Sequence, residues 1–203
     1  MVDISYFWRR KLSKENYKSV GRYNAKVDPI VTTLPNNRAE ITLQIDEDDT
    51  AKLRSVTFNG NEAISSSKLQ EQMELQPDAW WKLWGNKFDG TQFDKDIQAI
   101  QDYYHNNGYA KARVTKTDVQ LNEEHTKADV TIDVNEGEKY NLSSARIVGN
   151  LGGMADELQP LLGELHLNDT FSRADVQNVE SLIKDKLGER GYGSATVNTV
   201  PTF

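Results

Sequence analysis

The stretch from Phe93 to Gly137, FDKDIQAIQDYYHNNGYAKARVTKTDVQLNEEHTKADVTIDVNEG, decides the fold that the sequence predicts. Apolar side chains recur at helical spacing in its first part, at Phe93, Ile97, Ile100 and Tyr104. Gly108 follows, and glycine readily adopts the left-handed backbone with which many helices end. Alternating residues then predict a strand from Tyr109 and, after a polar turn, a second strand through Val134. The stretch is therefore predicted to form a helix followed by a β-hairpin.

The same order of elements occurs nearly three times along the chain. In each copy a tyrosine closely follows the helix-ending glycine, at Tyr23, Tyr109 and Tyr192. A period of about 85 residues indicates repeated small domains, because the units of a solenoid are shorter. Each full unit is predicted to contain strand, helix, helix, strand and strand, which is an α+β fold.

The predicted boundaries give three parts. Residues 1–49 are a partial repeat with a helix and a closing hairpin, 50–137 a complete repeat, and 138–203 a partial repeat lacking its last strand. In the last part, strands are predicted over 145–148 and 191–200, the second opening at Gly191-Tyr192 and running through Ala195, Val197 and Val200. Two helix starts are also predicted, with Thr91 as N-cap of the central helix and Ser172 as N-cap of the last one.

Composition excludes several classes of function. The net charge of -7 argues against a general affinity for nucleic acid or anionic lipid. No apolar run approaches the roughly 20 residues of a membrane helix, and the charges within Met1–Leu12 do not fit a cleavable signal. The sequence has no cysteine, which excludes disulfides and thiolate metal sites.

No catalytic site, metal or cofactor is predicted. His105, His125 and His166 lack metal-ligand spacing, so a surface or capping role is expected for each. No nucleophile elbow or phosphate loop follows a predicted strand. The glycines at 149–153 open a short helix and are assigned no nucleotide. A hydrolase would need a convergent acid–base set, and none can be named.

Several of these motifs resemble those of POTRA domains. The strand ends Val56–Asn61 and Ile147–Asn150 resemble the start of such a domain, and Val134–Gly137 resembles its end. Tyr103–Ala110 resembles the signature before its second strand. Two further segments are similar to consecutive POTRA repeats of a factor for outer-membrane barrel assembly: Gly21–Tyr23 with Thr33–Arg38, and Trp80-Trp81 followed by Gly85.

The resemblance implies tandem repeats, each with a three-stranded mixed sheet, a central closing strand and two helices on one face. It also implies the periplasmic portion of a Gram-negative outer-membrane protein whose own membrane barrel lies beyond this chain. Such arms are not enzymes. They scaffold accessory lipoproteins of the assembly complex and are expected to receive unfolded outer-membrane protein precursors by edge-strand pairing. A rigid periplasmic spacer, or the POTRA arm of a related outer-membrane translocation protein, is the alternative.

The strand predicted from Tyr109 to Thr117 is the candidate edge for such pairing, because an edge strand presents backbone groups to an extended peptide. Its candidate binding residues are Tyr109, Lys111, Arg113, Val114, Thr115 and Thr117. The opposing interpretation is that its Lys and Arg side chains discourage unwanted pairing.

A tryptophan-rich loop is a second candidate, as an anchor for a partner. Its residues are Trp80, Trp81 and Trp84. Clustered tryptophans more often fill a core or an interdomain joint, and that interpretation is favoured for this loop.

Overall fold

The computed structural model describes residues 26–34, 38–46, 51–77 and 87–202. Their elements, in order, are β1 (Lys26–Leu34), β2 (Arg38–Asp46), β3 (Lys52–Asn59), α1 (Ser66–Gln70), α2 (Gly90–Asn106), β4 (Arg113–Leu121), β5 (Lys127–Asn135), α3 (Ala155–Leu158), a 3-10 helix (Gln159–Glu164) and α4 (Arg173–Glu189). The described residues fall into two compact units. The first runs to Ile100 and includes Val114–Val134, and the second comprises Gln101–Arg113 and the chain from Asn135 onward.

β1 and β2 form an antiparallel hairpin. Val31 lies opposite Ile41 and Leu34 opposite Arg38. The helix and Tyr23 predicted before this hairpin lie outside the described residues.

The second sheet has the strand order β3-β5-β4, and β3 and β5 are parallel. β5 is therefore central, as the resemblance implies. Its alternate residues Ala128, Val130, Ile132 and Val134 are buried, whereas the residues between them are half-buried. One side of the strand thus faces the core, in agreement with the predicted alternation. The link from β4 to β5 spans only 122–126, which is too short for a parallel crossover, so these strands form a hairpin.

The start of α2 differs from the prediction. Asp89, not Thr91, is the N-cap residue, because its Oδ1 accepts hydrogen bonds from the amides of Thr91 at 2.8 Å and Gln92 at 3.2 Å. A carboxylate at this position is also stabilised by the positive end of the helix dipole. The C-terminal prediction is confirmed: Gly108 has φ +95°, and the Tyr109 amide donates to the Tyr104 carbonyl at 3.0 Å.

The second unit has its own small core. Its buried side chains are Met154, Leu158, Leu165, Val179 and Ile183. α3 is short and continues as a 3-10 helix, with Pro160 in the first turn of that helix. Ser172 is confirmed as N-cap of α4, since its Oγ accepts from the Asp175 amide at 3.3 Å.

Two predicted strands, 145–148 and 191–200, do not form within the described part of the second unit. A strand needs a neighbour for its ladder of hydrogen bonds, and in the first unit β5 supplies that neighbour to both β3 and β4. The described residues 138–202 contain no strand equivalent to β5. Val148 and Val200 consequently remain 75% and 83% exposed. Alternating sequence alone was not sufficient to make these segments strands.

Candidate functional site

The candidate binding edge is β4, which lies at one end of the sheet order. It begins at Arg113 and not at Tyr109 as predicted. The Ala112 amide donates to the Tyr109 carbonyl at 2.9 Å and closes a turn that continues the helix ending of α2. Of the predicted binding residues, the later four therefore lie in the strand: Arg113, Val114, Thr115 and Thr117.

Tyr109 and Lys111 contact aromatic rings before the strand begins. The Tyr109 ring meets the Tyr104 ring edge to face, with centroids 5.8 Å apart. Lys111 Nζ lies 5.1 Å from the centroid of the Tyr140 ring, a cation–π arrangement. These two residues fix the turn and do not line the edge.

β4 presents a mostly polar surface. Arg113, Thr115, Lys116 and Thr117 are exposed. Thr115 Oγ1 donates to the Asp133 carbonyl of β5 at 3.1 Å and so links the first half of the strand to its neighbour. The strand continues to Leu121, four residues beyond the predicted end. The alternation of Val119 and Leu121 could have indicated this extension.

The polar side of β5 carries an ion pair that sequence reasoning missed. Arg54 Nε donates to Asp129 Oδ1 at 2.8 Å, its Nη2 donates to Oδ2, and Ser55 Oγ also donates to Oδ1. The register between β3 and β5 is irregular between Leu53 and Ser55. At this point the neighbouring side chains of Arg54 and Ser55 both donate to the Asp129 carboxylate. Hydrogen bonds from Arg54, and then from Ser55, lower the pKa of Asp129 to about 2. The same pair raises the pKa of Arg54.

This ion pair predicts an acid-dependent loss of stability. The folded pKa of Asp129 lies below its ordinary value of 3.8, so the unfolded chain binds more protons at acidic pH. The contribution of Asp129 is therefore complete above the ordinary value and is lost as the pH falls through about 2. Urea unfolding should lose part of this pH dependence in Asp129→Asn. In Arg54→Gln, a carboxyl NMR titration should show the pKa of Asp129 moving up. An unchanged Asp129 titration in Arg54→Gln would contradict this assignment.

The remaining predicted positions do not converge on the edge. Within the described ranges, no group of three His, Asp or Glu side chains could hold a metal ion. His125 is exposed in the turn before β5, and His166 lines an open cleft of about 440 Å³ in the second unit.

No helix of the described residues is long and apolar enough to span a membrane. Trp80, Trp81 and Trp84 lie outside the described residues.

Comparison with known families and proteins gives consistent matches. The POTRA family model, described as surface antigen variable number repeat, matches residues 51–137 and 140–203. The outer membrane protein assembly factor BamA of Neisseria meningitidis serogroup B is 33% identical over 191 residues, which cover 93% of this chain and 24% of that protein. BamA of Buchnera aphidicola subsp. Acyrthosiphon pisum is 26% identical over 193 residues, covering 94% of this chain and 31% of that protein.

A solved structure is also similar. The crystal structure of Haemophilus influenzae BamA POTRA3-5 is 74% identical in sequence and superposes with a TM-score of 0.68. The match covers 75% of this chain and 60% of that one. By contrast, the chain spans 24% and 31% of the lengths of the two curated relatives.

Proposed function

The chain belongs to the POTRA family, and from that premise we propose that it is part of the periplasmic scaffold on which outer-membrane β-barrels are assembled. Its relatives are outer membrane protein assembly factors. The localisation expected from the sequence, the periplasmic portion of an outer-membrane protein, agrees with them. The similarity to POTRA3-5 supports placing most of this chain in the third and fourth repeats. The proposal that its first part is the end of the second repeat rests on the sequence resemblance alone. The scaffold acts by binding and not by catalysis.

The proposed mechanism is the addition of an extended precursor segment to β4. The observation that carries it is the terminal place of β4 in the order β3-β5-β4. The other terminal strand is partly covered at its start, because Lys52 forms a bridge with Lys87 and the Phe88 amide donates to the Ala51 carbonyl at 2.7 Å. Backbone pairing gives affinity with little demand on sequence, which suits a scaffold that receives precursors of many sequences.

The charges on β4 limit which segments can pair. Arg113 and Lys116 are exposed and discourage the addition of a second cationic strand. Because they are three residues apart, they lie on opposite faces of the strand, and an acidic side chain opposite either one gains cross-strand attraction of about 0.2 to 1 kcal/mol. The edge therefore favours a segment with an acidic side chain opposite one of these two cations.

Proline substitution tests the strand addition. Successive backbone amides of a strand point to opposite sides, so Thr115→Pro and Lys116→Pro remove one inward and one outward donor. The variant that loses the outward donor should keep its pairing with β5. Its affinity for the peptide should fall by about tenfold or more, because one hydrogen bond to the peptide is lost and the proline ring interrupts the ladder. Fluorescence anisotropy with a labelled alternating peptide measures the affinity, and circular dichroism checks the fold.

Thr57→Pro in β3, the opposite terminal strand, is the matched control. It places proline in the same sheet and should leave peptide affinity unchanged if the domain stays folded. If both β4 variants kept full affinity for the peptide while their sheet stayed intact, a rigid spacer would be the better explanation of the function.

Docking of accessory lipoproteins is proposed for the same scaffold on the family resemblance alone. A rigid spacer, or an arm of a related translocation protein, is the competing function. A co-purification experiment separates the spacer from the scaffold: the spacer retains no lipoprotein, whereas the scaffold retains one whether or not the β4 edge is blocked.

A further inference from the structure

The end of α2 is joined to the start of α4 by several contacts inside the second unit. Asn106 Oδ1, at the last residue of α2, accepts from the Ala174 amide at 2.9 Å and so caps α4 from a distant part of the chain. The Tyr140 amide donates to the Gly108 carbonyl at 2.9 Å. The segment 106–108 thus holds both the first turn of α4 and the chain entering the last repeat.

His105 completes this junction and permits only one protonation state there. Its Nδ1 lies 3.2 Å from Arg173 Nη1, and its Nε2 lies 3.0 Å from the Ala112 carbonyl oxygen. A guanidinium nitrogen can only donate, so Nδ1 must accept and carry no proton. A carbonyl oxygen can only accept, so Nε2 must carry the proton. Both contacts are satisfied by neutral imidazole protonated at Nε2.

We propose that His105 and Arg173 form a pH-sensitive latch that reinforces the Asn106 cap on α4 when His105 is neutral and weakens it when His105 is protonated. Protonation places a hydrogen on Nδ1, which removes the acceptor facing Arg173. It also brings two cations together at a nitrogen–nitrogen distance of 3.2 Å. The hydrogen bond is then replaced by repulsion, while the Nε2 bond to Ala112 survives.

Charged groups lie around this contact on three elements. From α4 the facing charge is Arg173, and from α2 it is Asp102, whose Oδ1 lies 3.9 Å from Arg173 Nη1. The turn between them contributes the neutral Ala112 carbonyl, and its charged residue, Lys111, lies over the Tyr140 ring.

Two NMR measurements on the full 203-residue chain test the latch. Proton–nitrogen correlations of the imidazole ring should show the Nε2–H tautomer of His105 at about pH 7.5. Amide exchange, expressed as protection factors to remove the intrinsic effect of pH, should show Ala174 losing about five- to tenfold protection at about pH 5.5. The Nδ1–H tautomer, or unchanged protection at Ala174, would overturn the proposal.

Variants separate the latch from other titrating groups. His105→Gln keeps a neutral acceptor and donor, so the Ala174 amide should remain protected at both pH values. Arg173→Gln should show the lower protection at both. The double variant His125→Gln and His166→Gln is the control and should keep the parental response. A response that persists in His105→Gln, or disappears in the control, would assign the pH dependence elsewhere.

Discussion

Replacing Gly60 with alanine is expected to destabilise the complete repeat by about 2 to 5 kcal/mol. Gly60 has φ +78°, a left-handed conformation that costs an L residue about 1 to 2 kcal/mol. A Cβ at this position would also lie 2.3 Å from the carbonyl oxygen of Val134 in β5. That oxygen belongs to the backbone of the central strand, so relief requires moving the strand, and overpacking of this kind adds about 1 to 3 kcal/mol.

Gly153→Ala is the matched control. Gly153 has nearly the same backbone, with φ +80°, but a Cβ there would have no heavy atom of the described residues within 4 Å. The loss of stability in this variant should therefore be limited to the backbone cost of about 1 to 2 kcal/mol. Urea unfolding followed by NMR signals of β5 and α4 reports the two units separately. If both variants lost the same free energy of unfolding, the contact between the new Cβ and the Val134 carbonyl oxygen would contribute nothing to the destabilisation.

Replacing Asp96 with alanine is expected to cost about 1.5 to 4.5 kcal/mol: about 1 to 3 for the buried Leu75 amide, which is left without an acceptor, and about 0.5 to 1.5 for the hydrogen bond lost at the exposed Glu74. Asp96 lies in α2 and is 2% exposed. Its two carboxylate oxygens accept from the amides of Glu74 and Leu75, each at 3.0 Å. The chain after α1 is therefore held to α2 through one side chain, and water cannot replace that acceptor at the buried Leu75.

Two further variants of α2 provide a scale for the stability lost in Asp96→Ala. Asp94→Ala removes an exposed carboxylate two residues earlier and should change stability by less than about 0.5 kcal/mol. Asp96→Asn keeps one acceptor oxygen and should give an intermediate loss. Amide exchange at Glu74 and Leu75 should accelerate in Asp96→Ala and not in Asp94→Ala. Unchanged exchange at both amides would contradict the assigned role.

Local signals in the sequence predicted much of the first unit. The alternation of Val130, Ile132 and Val134 indicated a strand with one buried side, and β5 has that pattern. Gly108 indicated the end of α2, and its left-handed backbone confirms the prediction. Each of these features depends on residues close together in the chain, so a single sequence contains the information.

Features that depend on distant partners were not predictable in the same way. Asp96 looks like one more polar position on an amphipathic helix, because its acceptor role requires amides more than twenty residues earlier. The residues 145–148 and 195–200 have strand-like alternation but no central strand between them in the described second unit. The turn at Tyr109–Ala112, which delays β4, is set by its contacts with the end of α2.

The motif Glu136-Gly137 has a physical explanation as well. The Tyr104 hydroxyl donates to Glu136 Oε1 at 2.9 Å, and both side chains are buried. Burial raises the pKa of Tyr104 well above its ordinary value of 10.0, and the hydrogen bond to Glu136 raises it further. The tyrosine therefore stays protonated as a donor. The sequence motif that resembles the end of a POTRA domain thus contains one partner of a buried hydrogen bond, that between Tyr104 and Glu136.

The central claim is that β4 receives an extended segment, and an amide NMR titration tests it most directly. The ligand is an alternating peptide from an outer-membrane barrel strand, and the control is the same peptide with all its backbone amides N-methylated, which removes the donors of both hydrogen-bonding edges. Shifts concentrated on Arg113–Leu121, with cross-strand contacts to the peptide and none with the control, are predicted. A spectrum that does not move at saturating peptide, or shifts located on β3, would contradict the claim.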